Sequence, residues 1–286
     1  MWINLRTRML KYPSSKWLKH RVLSQNEELA PILPATTVFH EAALHDYFLE
    51  FPTVYVKPIH GSGGNHVMKV TKNDQEYTVQ TKRRTVRFNK ENQVFAYIRK
   101  QTRGRKYIIQ QGIDLIHLDG SPIDFRVLLF KRNHAWHWYG IIGRMGKTGA
   151  VVTNRAQGGK AISFTEALSR SFEWNEEQME EMKARIQHVS MTVAHTLGRY
   201  FPNMNQLGLD LAVDTQGNLY LIEANTRPHY RLFRQHEDRR LFARVSRTVQ
   251  ILRYSGTARG NGNRRPRIRT AAAAGPKKRT RLRKRS

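Results

Sequence analysis

Apolar residues recur every three or four positions over Met179, Met182, Ile186, Val189, Val193 and Leu197, a spacing that gathers them on one face of a helix. Asn175 stands at the N-cap position, Gln178 follows three residues later, and Glu176 and Glu177 fill the first turn. The pattern therefore predicts a capped helix whose apolar face is core. A different period governs 207–213 and 219–223, two apolar runs of strand length around 214–218, which has the composition of a hairpin turn. A turn centred near Gln216 and Gly217 sets Asp210 opposite Glu223, with Asn225 on the same face two residues further on.

The same signals predict strands over 53–57, 67–71, 77–82, 107–111, 123–131 and 135–144. They predict helices over 14–29, from Asn89 to just before Gly104, and over 238–254, with Pro31 and Pro34 breaking the first pattern. No repeat of solenoid length is visible. The expected class is α+β: a helical lead-in (1–34), a small α+β lobe (35–113), a large α+β lobe (114–255) and a disordered basic tail (256–286).

Composition sharpens this picture. A chain of 286 residues with 39% hydrophobic residues, five Trp, eleven Tyr and twelve Phe has the material for a substantial core. No apolar run reaches the ~18 residues of a membrane span, and the first residues lack the apolar segment of a signal peptide, so a cytoplasmic, non-secreted protein is expected. The absence of cysteine excludes disulfides, thiolate catalysis and Cys-based zinc sites. The net charge of +28 is uneven. Residues 256–286 carry twelve Lys or Arg and no acid, leaving 38 basic against 22 acidic residues, +16, on the first 255. Such a tail suits contact with nucleic acid, an anionic polymer or an acidic protein surface.

Candidate chemistry lies in four segments. Asp210 and Glu223, directly across a strand pair, repel unless a cation sits between them; with Asn225 they form an oxygen donor set suited to Mg²⁺, or Mn²⁺ in its place. VYVKPIHGSGGN sets Lys57 at a strand end before Gly61, Ser62, Gly63 and Gly64, a combination of point charge and adaptable backbone N–H groups that fits phosphate. In IIQQGIDL a strand runs into a hinge at Gln110, Gln111, Gly112 and Ile113, where backbone groups are able to meet a purine edge. Arg126 and Arg144, on adjacent strands, suit a phosphoryl or acyl-phosphate group. The loop TNRAQGG adds Asn154.

In this order, KPIHGSGG, IIQQGIDL, DFR, GR, TNRAQGG, GLDL and LIEANTRP resemble the ATP-grasp superfamily. Within it the chain looks most like the YheC/YheD group associated with the endospore coat, and the DFR, GR and TNRAQGG succession is similar to peptide-glutamate ligases of the RimK type. The resemblance implies an ATP-grasp fold with ATP between the two lobes. Lys57 and Gly61, Ser62, Gly63 and Gly64 would meet phosphates, and Gln110, Gln111, Gly112 and Ile113 would meet adenine. Asp210, Glu223 and Asn225 would hold one or two Mg²⁺ ions, and Arg126, Arg144 and Asn154 would act at the reacting groups. Two departures stand out: His66 and His229 occupy positions where relatives often carry glycine.

The activity so implied is ATP-dependent joining of a carboxylate to an amine or thiol through an acyl phosphate, with spore-coat association. A noncatalytic nucleotide-binding coat component and a phosphotransferase are the alternatives. A product assay separates the last from a ligase, because only the ligase releases free phosphate.

Overall fold

The computed structural model describes residues 14–148, 151 and 160–258, with side chains as far as 253. Its framework is two antiparallel sheets. The first uses β1 (Thr36–Val38), β2 (Thr53–Pro58), β3 (Met68–Lys72), β4 (Tyr77–Gln80), β5 (Thr85–Phe88) and β6 (Tyr107–Gln111), in the order β1-β6-β2-β3-β4-β5. Helices α2 (Glu41–Glu50) and α3 (Glu91–Thr102) cover one face. Because side chains alternate along a strand, Val54 and Val56 pack with Leu44, Phe48, Val94 and Ile98 under those helices, while Tyr55 and Lys57 point to the other side.

The second sheet runs β10-β9-β8-β11-β12, with β7 (His117–Leu118) pairing β8. Its strands are β8 (Ser121–Arg132), β9 (Ala135–Met145), β10 (Lys160–Ile162), β11 (Gln206–Val213) and β12 (Leu219–Asn225). Phe125, Val127, Leu129, Leu207, Leu209 and Leu211 point to a core closed by α4 (Phe164–Ser171) and α5 (Glu176–Tyr200). Each fully buried side chain of this kind contributes roughly 1.5–3 kcal/mol. The intervening residues Asp124, Arg126 and Asp210 fall on the opposite face by the same alternation.

The capping box is present as expected: the Asn175 side chain accepts from the Gln178 N–H, and the Gln178 side chain accepts from the Asn175 N–H. The six apolar positions of α5 are all buried. Helix α1 is shorter than its pattern suggests, ending at Leu23 (Lys16–Leu23) before a turn and a 3-10 helix at Ala30–Ile32. Helix α6 (Leu241–Ala258) runs three residues into the segment expected to be tail; the remainder of that segment lies outside the described residues. Elements β1, α2, β5, β7, β10 and α4 have no counterpart in the sequence reading. Four of them, β1, β5, β7 and β10, have three residues or fewer or lie at a sheet edge, where pairing partners rather than local pattern decide the conformation.

Helix α1 lies at the seam between the sheets. Its Lys16 N–H donates to Ile59 O beyond β2, and Lys19 Nζ donates to Ala224 O on β12. No described helix is long and apolar enough to cross a membrane.

Candidate functional site

The site grows from one row of the second sheet. Glu223 on β12 pairs with Asp210 on β11, and Asp210 pairs with Arg126 on β8. One row away, Asp124 pairs with Arg144 on β9. The hairpin itself closes with Val213 opposite Leu219 and Leu211 opposite Leu221; Ile222 is then an extra residue, so the register shifts before Asp210 meets Glu223. This bulge reverses the facing of β12. Leu219 and Leu221 point to the core before it and Ala224 after it, which turns Glu223 and Asn225 toward Asp210.

The carboxylates are heavily compensated. Arg126 Nε donates to Asp210 Oδ1 at 2.6 Å, Arg144 approaches the same oxygen at 3.2 Å, and Asn225 Nδ2 donates to Oδ2 at 3.2 Å. Arg144 also grips Asp124 with two hydrogen bonds, of 2.6 and 2.5 Å. Burial alone would push the Asp210 carboxyl up, but the Arg126 and Arg144 guanidiniums outweigh it and hold it below its usual range. Burial likewise opposes the charge on Arg144, and the carboxylates of Asp124 and Asp210 override it, leaving the guanidinium more firmly protonated than usual. Asp124 and Arg126, two residues apart on β8, are both buried and take partners across strands, Asp124 from Arg144 on β9 and Arg126 from Asp210 on β11.

The first sheet presents Lys57 over this row. It is buried, lies 5.1 Å from the centroid of the Tyr55 ring, and donates to Gln110 Oε1 at 2.5 Å. Gln110 Nε2 donates onward to Thr36 Oγ1 at 3.0 Å. Burial pulls the Lys57 ammonium down to about 8, with Glu223 and Asp210 pulling up and Lys16 pushing down. The glycine loop that follows has left-handed φ at Gly63, Gly64 and His66, of 73°, 68° and 60°, so the histidine adopts a conformation that glycine takes without strain.

Sequence reasoning missed two lysines. Lys16 Nζ donates to Gly61 O at 2.7 Å and lies 3.3 Å from Glu223 Oε1. Lys19, one turn along, is buried, and burial lowers it to about 8. Their signal was present: two lysines at i and i+3 behind the cap Ser15, whose side chain accepts from the Leu18 N–H, mark one cationic face at a helix start. With Lys57, Arg126 and Arg144 they make five cationic side chains against three carboxylates, Asp124, Asp210 and Glu223. The cleft therefore has an electrostatic deficit that an anion would fill.

The remaining candidates are placed less simply. The Gln111 N–H donates to Ala35 O and the Gly112 N–H to Thr53 O, so these two donors are not offered to a purine edge in this structure. Gly112 has a packing reason of its own, since a Cβ there would lie 2.7 Å from Thr53 O. Gln110 turns its side chain to Lys57 and Thr36. Ser62 is exposed beside Gly61 and Gly63, Ile113 is half-buried, and His229 is exposed after the buried Pro228. Asn154 and the rest of its loop, 152–159, lie outside the described residues.

Among the described residues no cluster of three or more His, Asp or Glu side chains forms a metal cage. The oxygen set of Asp210, Glu223 and Asn225 nevertheless fits a Mg²⁺ ion that takes its other ligands from phosphates and water, because such an ion uses only one or two carboxylates.

Two facing antiparallel sheets, one carrying the lysine and glycine loop and the other the Asp, Glu and Asn row, constitute an ATP-grasp fold. A family model described as YheC/D-like ATP-grasp matches residues 9–255, and the chain belongs to that family. It is 26% identical over 227 residues to the endospore coat-associated protein YheD of Bacillus subtilis (strain 168), covering 77% of this chain and 49% of that protein. Against YheC of the same organism the identity is 22% over 224 residues, covering 74% and 59%. The chain thus spans about half to three-fifths of these curated relatives. Among solved structures, the VanG D-Ala:D-Ser ligase from Enterococcus faecalis is similar with a TM-score of 0.51 at 12% identity, covering 84% of this chain and 61% of that one. That likeness is one of fold.

Proposed function

We propose that this chain is a Mg²⁺- and ATP-dependent ligase that activates a carboxylate as an acyl phosphate and joins it to an amine. The observation that carries this reading is the cleft with five cations and three carboxylates, two of the carboxylates set directly across a strand pair. Such a cleft suits polyphosphate together with a hard cation.

Lys57, Lys16 and the Gly61–Gly64 loop bind the phosphates in this reading, and Asp210, Glu223 and Asn225 would hold Mg²⁺. When bound, Mg²⁺ supplies charge neutralisation along the phosphates. Arg126 and Arg144 hold the transferring phosphoryl group and the acyl phosphate that results from attack of the substrate carboxylate. In that first step the bond from the γ-phosphorus to ADP breaks and ADP leaves. The amine then attacks the acyl carbon, the C–O bond to phosphate breaks, phosphate leaves with both electrons, and the nitrogen gives up its proton to the departing phosphate or solvent. The arginines remain charged throughout, so they position and stabilise without moving a proton.

The small lobe (35–113) and large lobe (114–255) enclose this chemistry. The cavity bounded by Lys19, Lys57, Gln110 and Glu223 measures only ≈ 40 Å³, room for water but far below the roughly 300 Å³ where ligand pockets begin. Nucleotide entry therefore requires α1 and the first sheet to draw back from β12. Association with a spore coat is part of the proposal and rests on the names of the relatives YheD and YheC.

The test is ADP release across a panel of amino acids, peptides and cell-wall fragments, with product masses determined. Wild type releases ADP and free phosphate with one donor–acceptor pair, and Glu223→Ala loses Mg-ATP binding. Normal turnover by Glu223→Ala would remove the metal assignment; a phosphorylated product would replace the ligase by a phosphotransferase.

A further inference from the structure

Lys19 is buried and has no task in the chemistry proposed above. Its ammonium donates to Ala224 O, the carbonyl between Glu223 and Asn225 on β12. Seating the helix does not require this bond. Val22 and Leu23, three and four residues on, share a face of α1 with Lys19 and are buried in the core of the second sheet together with Leu29 and Ile32. Burial also works against an ammonium, while the nearby carboxylates of Glu223 and Asp210 work for it.

We propose that Lys19 is a positioning residue for the metal row, fixing the backbone that carries Glu223 and Asn225 when α1 is seated; the inference rests on the Mg²⁺ assignment above. Three observations lead there. The first is the edge. β12 is the last strand of the second sheet, so alternate backbone groups along it face away from β11 and lack a ladder partner. Ala224 O takes Lys19 where a further strand would have supplied an N–H.

The second observation is the bulge at Ile222, two residues before Ala224. A bulge interrupts the ladder, and a slip of one residue there would return Glu223 to the core face and withdraw Asn225 from Asp210. A charge-assisted hydrogen bond is about twice as strong as a neutral one. Placed on the residue between the two ligands, it holds the shifted register. The third observation is what the bond leaves free. Lys16 Nζ lies 3.3 Å from Glu223 Oε1 and Asn225 Nδ2 donates to Asp210 Oδ2, so an entering cation competes with both for carboxylate oxygens. The Ala224 carbonyl is not one of the proposed ligands, and the Lys19 bond needs no such exchange.

Lys19 is itself a cation, so charge and geometry make opposite predictions. A residue acting through its charge alone repels a metal ion, and its removal would tighten binding. Removing a partner that orients metal ligands instead costs about ten- to a hundredfold in affinity.

The experiment titrates ADP into the full chain by calorimetry with and without Mn²⁺, and the ratio of the two affinities reads the contribution of the metal. Lys19→Met, which fills the buried position without a donor, is expected to lower that ratio about tenfold. Its urea midpoint at pH 7 should be at or above that of wild type, because a buried charge leaves with the bond. Hydrogen exchange over 219–225 should quicken. A ratio in Lys19→Met equal to or above wild type, with the metal effect lost in Glu223→Ala, would overturn the role of Lys19 and leave the metal assignment standing. A lowered ratio matched by Asn175→Ala at the same urea midpoint would overturn it too, as an effect of stability alone. Wild type that binds ADP equally with and without Mn²⁺ would remove the metal assignment and this inference with it.

Discussion

Arg126 lies directly across the β8–β11 ladder from Asp210, and its Nε donates to that carboxylate at 2.6 Å with both side chains nearly buried. The pair shares its oxygen with Arg144, so removing the acid leaves two guanidiniums facing each other. Asp210→Ala should therefore destabilise the fold by about 3 kcal/mol, as expected for a broken buried pair. Arg126→Met combined with Asp210→Leu should recover most of that loss while still lacking Mg²⁺ binding. Urea unfolding measures both, and a loss below roughly 1 kcal/mol for Asp210→Ala would mean that the pair behaves as a solvated one.

Lys57 and Lys19 give the site a signature in pH. Both are held at about 8 by burial, against 10.5 for an ordinary lysine. Between about pH 8 and 10.5 the unfolded chain binds more protons at these groups than the folded one. The cost of burying the two ammoniums is thus fully present below pH 8 and is relieved as pH rises through that window. Lys57→Met should accordingly be more stable than wild type at pH 7 by a margin that shrinks toward pH 10, read from unfolding at each pH.

The same groups govern the proposed nucleotide binding, with the opposite sign. A phosphate beside Lys57 favours the ammonium, so affinity should fall as pH rises through 8, and binding at pH 8.5 should take up protons. Titration calorimetry in two buffers of different ionisation enthalpy measures the uptake. Lys57→Arg, which stays charged, should reduce it.

Gly208 is constrained by the segment that carries Asn225. A Cβ at Gly208 would lie 2.5 Å from Pro228 Cβ and 3.2 Å from Arg126 Nη1. Gly208→Ala should cost about 1–3 kcal/mol, the range for overpacking, and displace the 225–228 segment. Its Mg²⁺ affinity should fall with it. Retained affinity at wild-type stability would show that the loop has room to yield.

Asn175→Ala serves as the control on the opposite face. It removes the half of the α5 capping box in which the Asn175 side chain accepts from the Gln178 N–H, while the Asn175 backbone N–H still has Gln178 as its acceptor. It should cost about 1 kcal/mol with no change in nucleotide affinity. Thermal melting and the calorimetric titration together test that separation.

Much of the framework was legible because it is local. Alternation marked β2, β6, β8, β9, β11 and β12 to within a few residues, and the cap and period of α5 were visible in full. The pairing of Asp210 with Glu223 was anticipated from a turn centred near Gln216 and Gly217, but the chain reaches it by another route. Gly217 does take a left-handed φ, of 84°, in a turn held by Asp214. From that turn the unbroken ladder would set Asp210 opposite Ile222, with Glu223 facing the core. The bulge at Ile222 corrects the facing, and nothing in LYLIEAN announces it.

The sequence by itself determined which residue types are available: oxygen donors on one hairpin, a lysine before glycines, arginines on adjacent strands, and a basic excess. Only the tertiary structure decided their partners. Arg126 finds Asp210 across 84 residues and Lys19 finds Ala224 across 205. Local conformation follows from propensity and period over a few residues. Charge compensation follows from register and from the docking of one sheet against another, which the whole chain sets through burial.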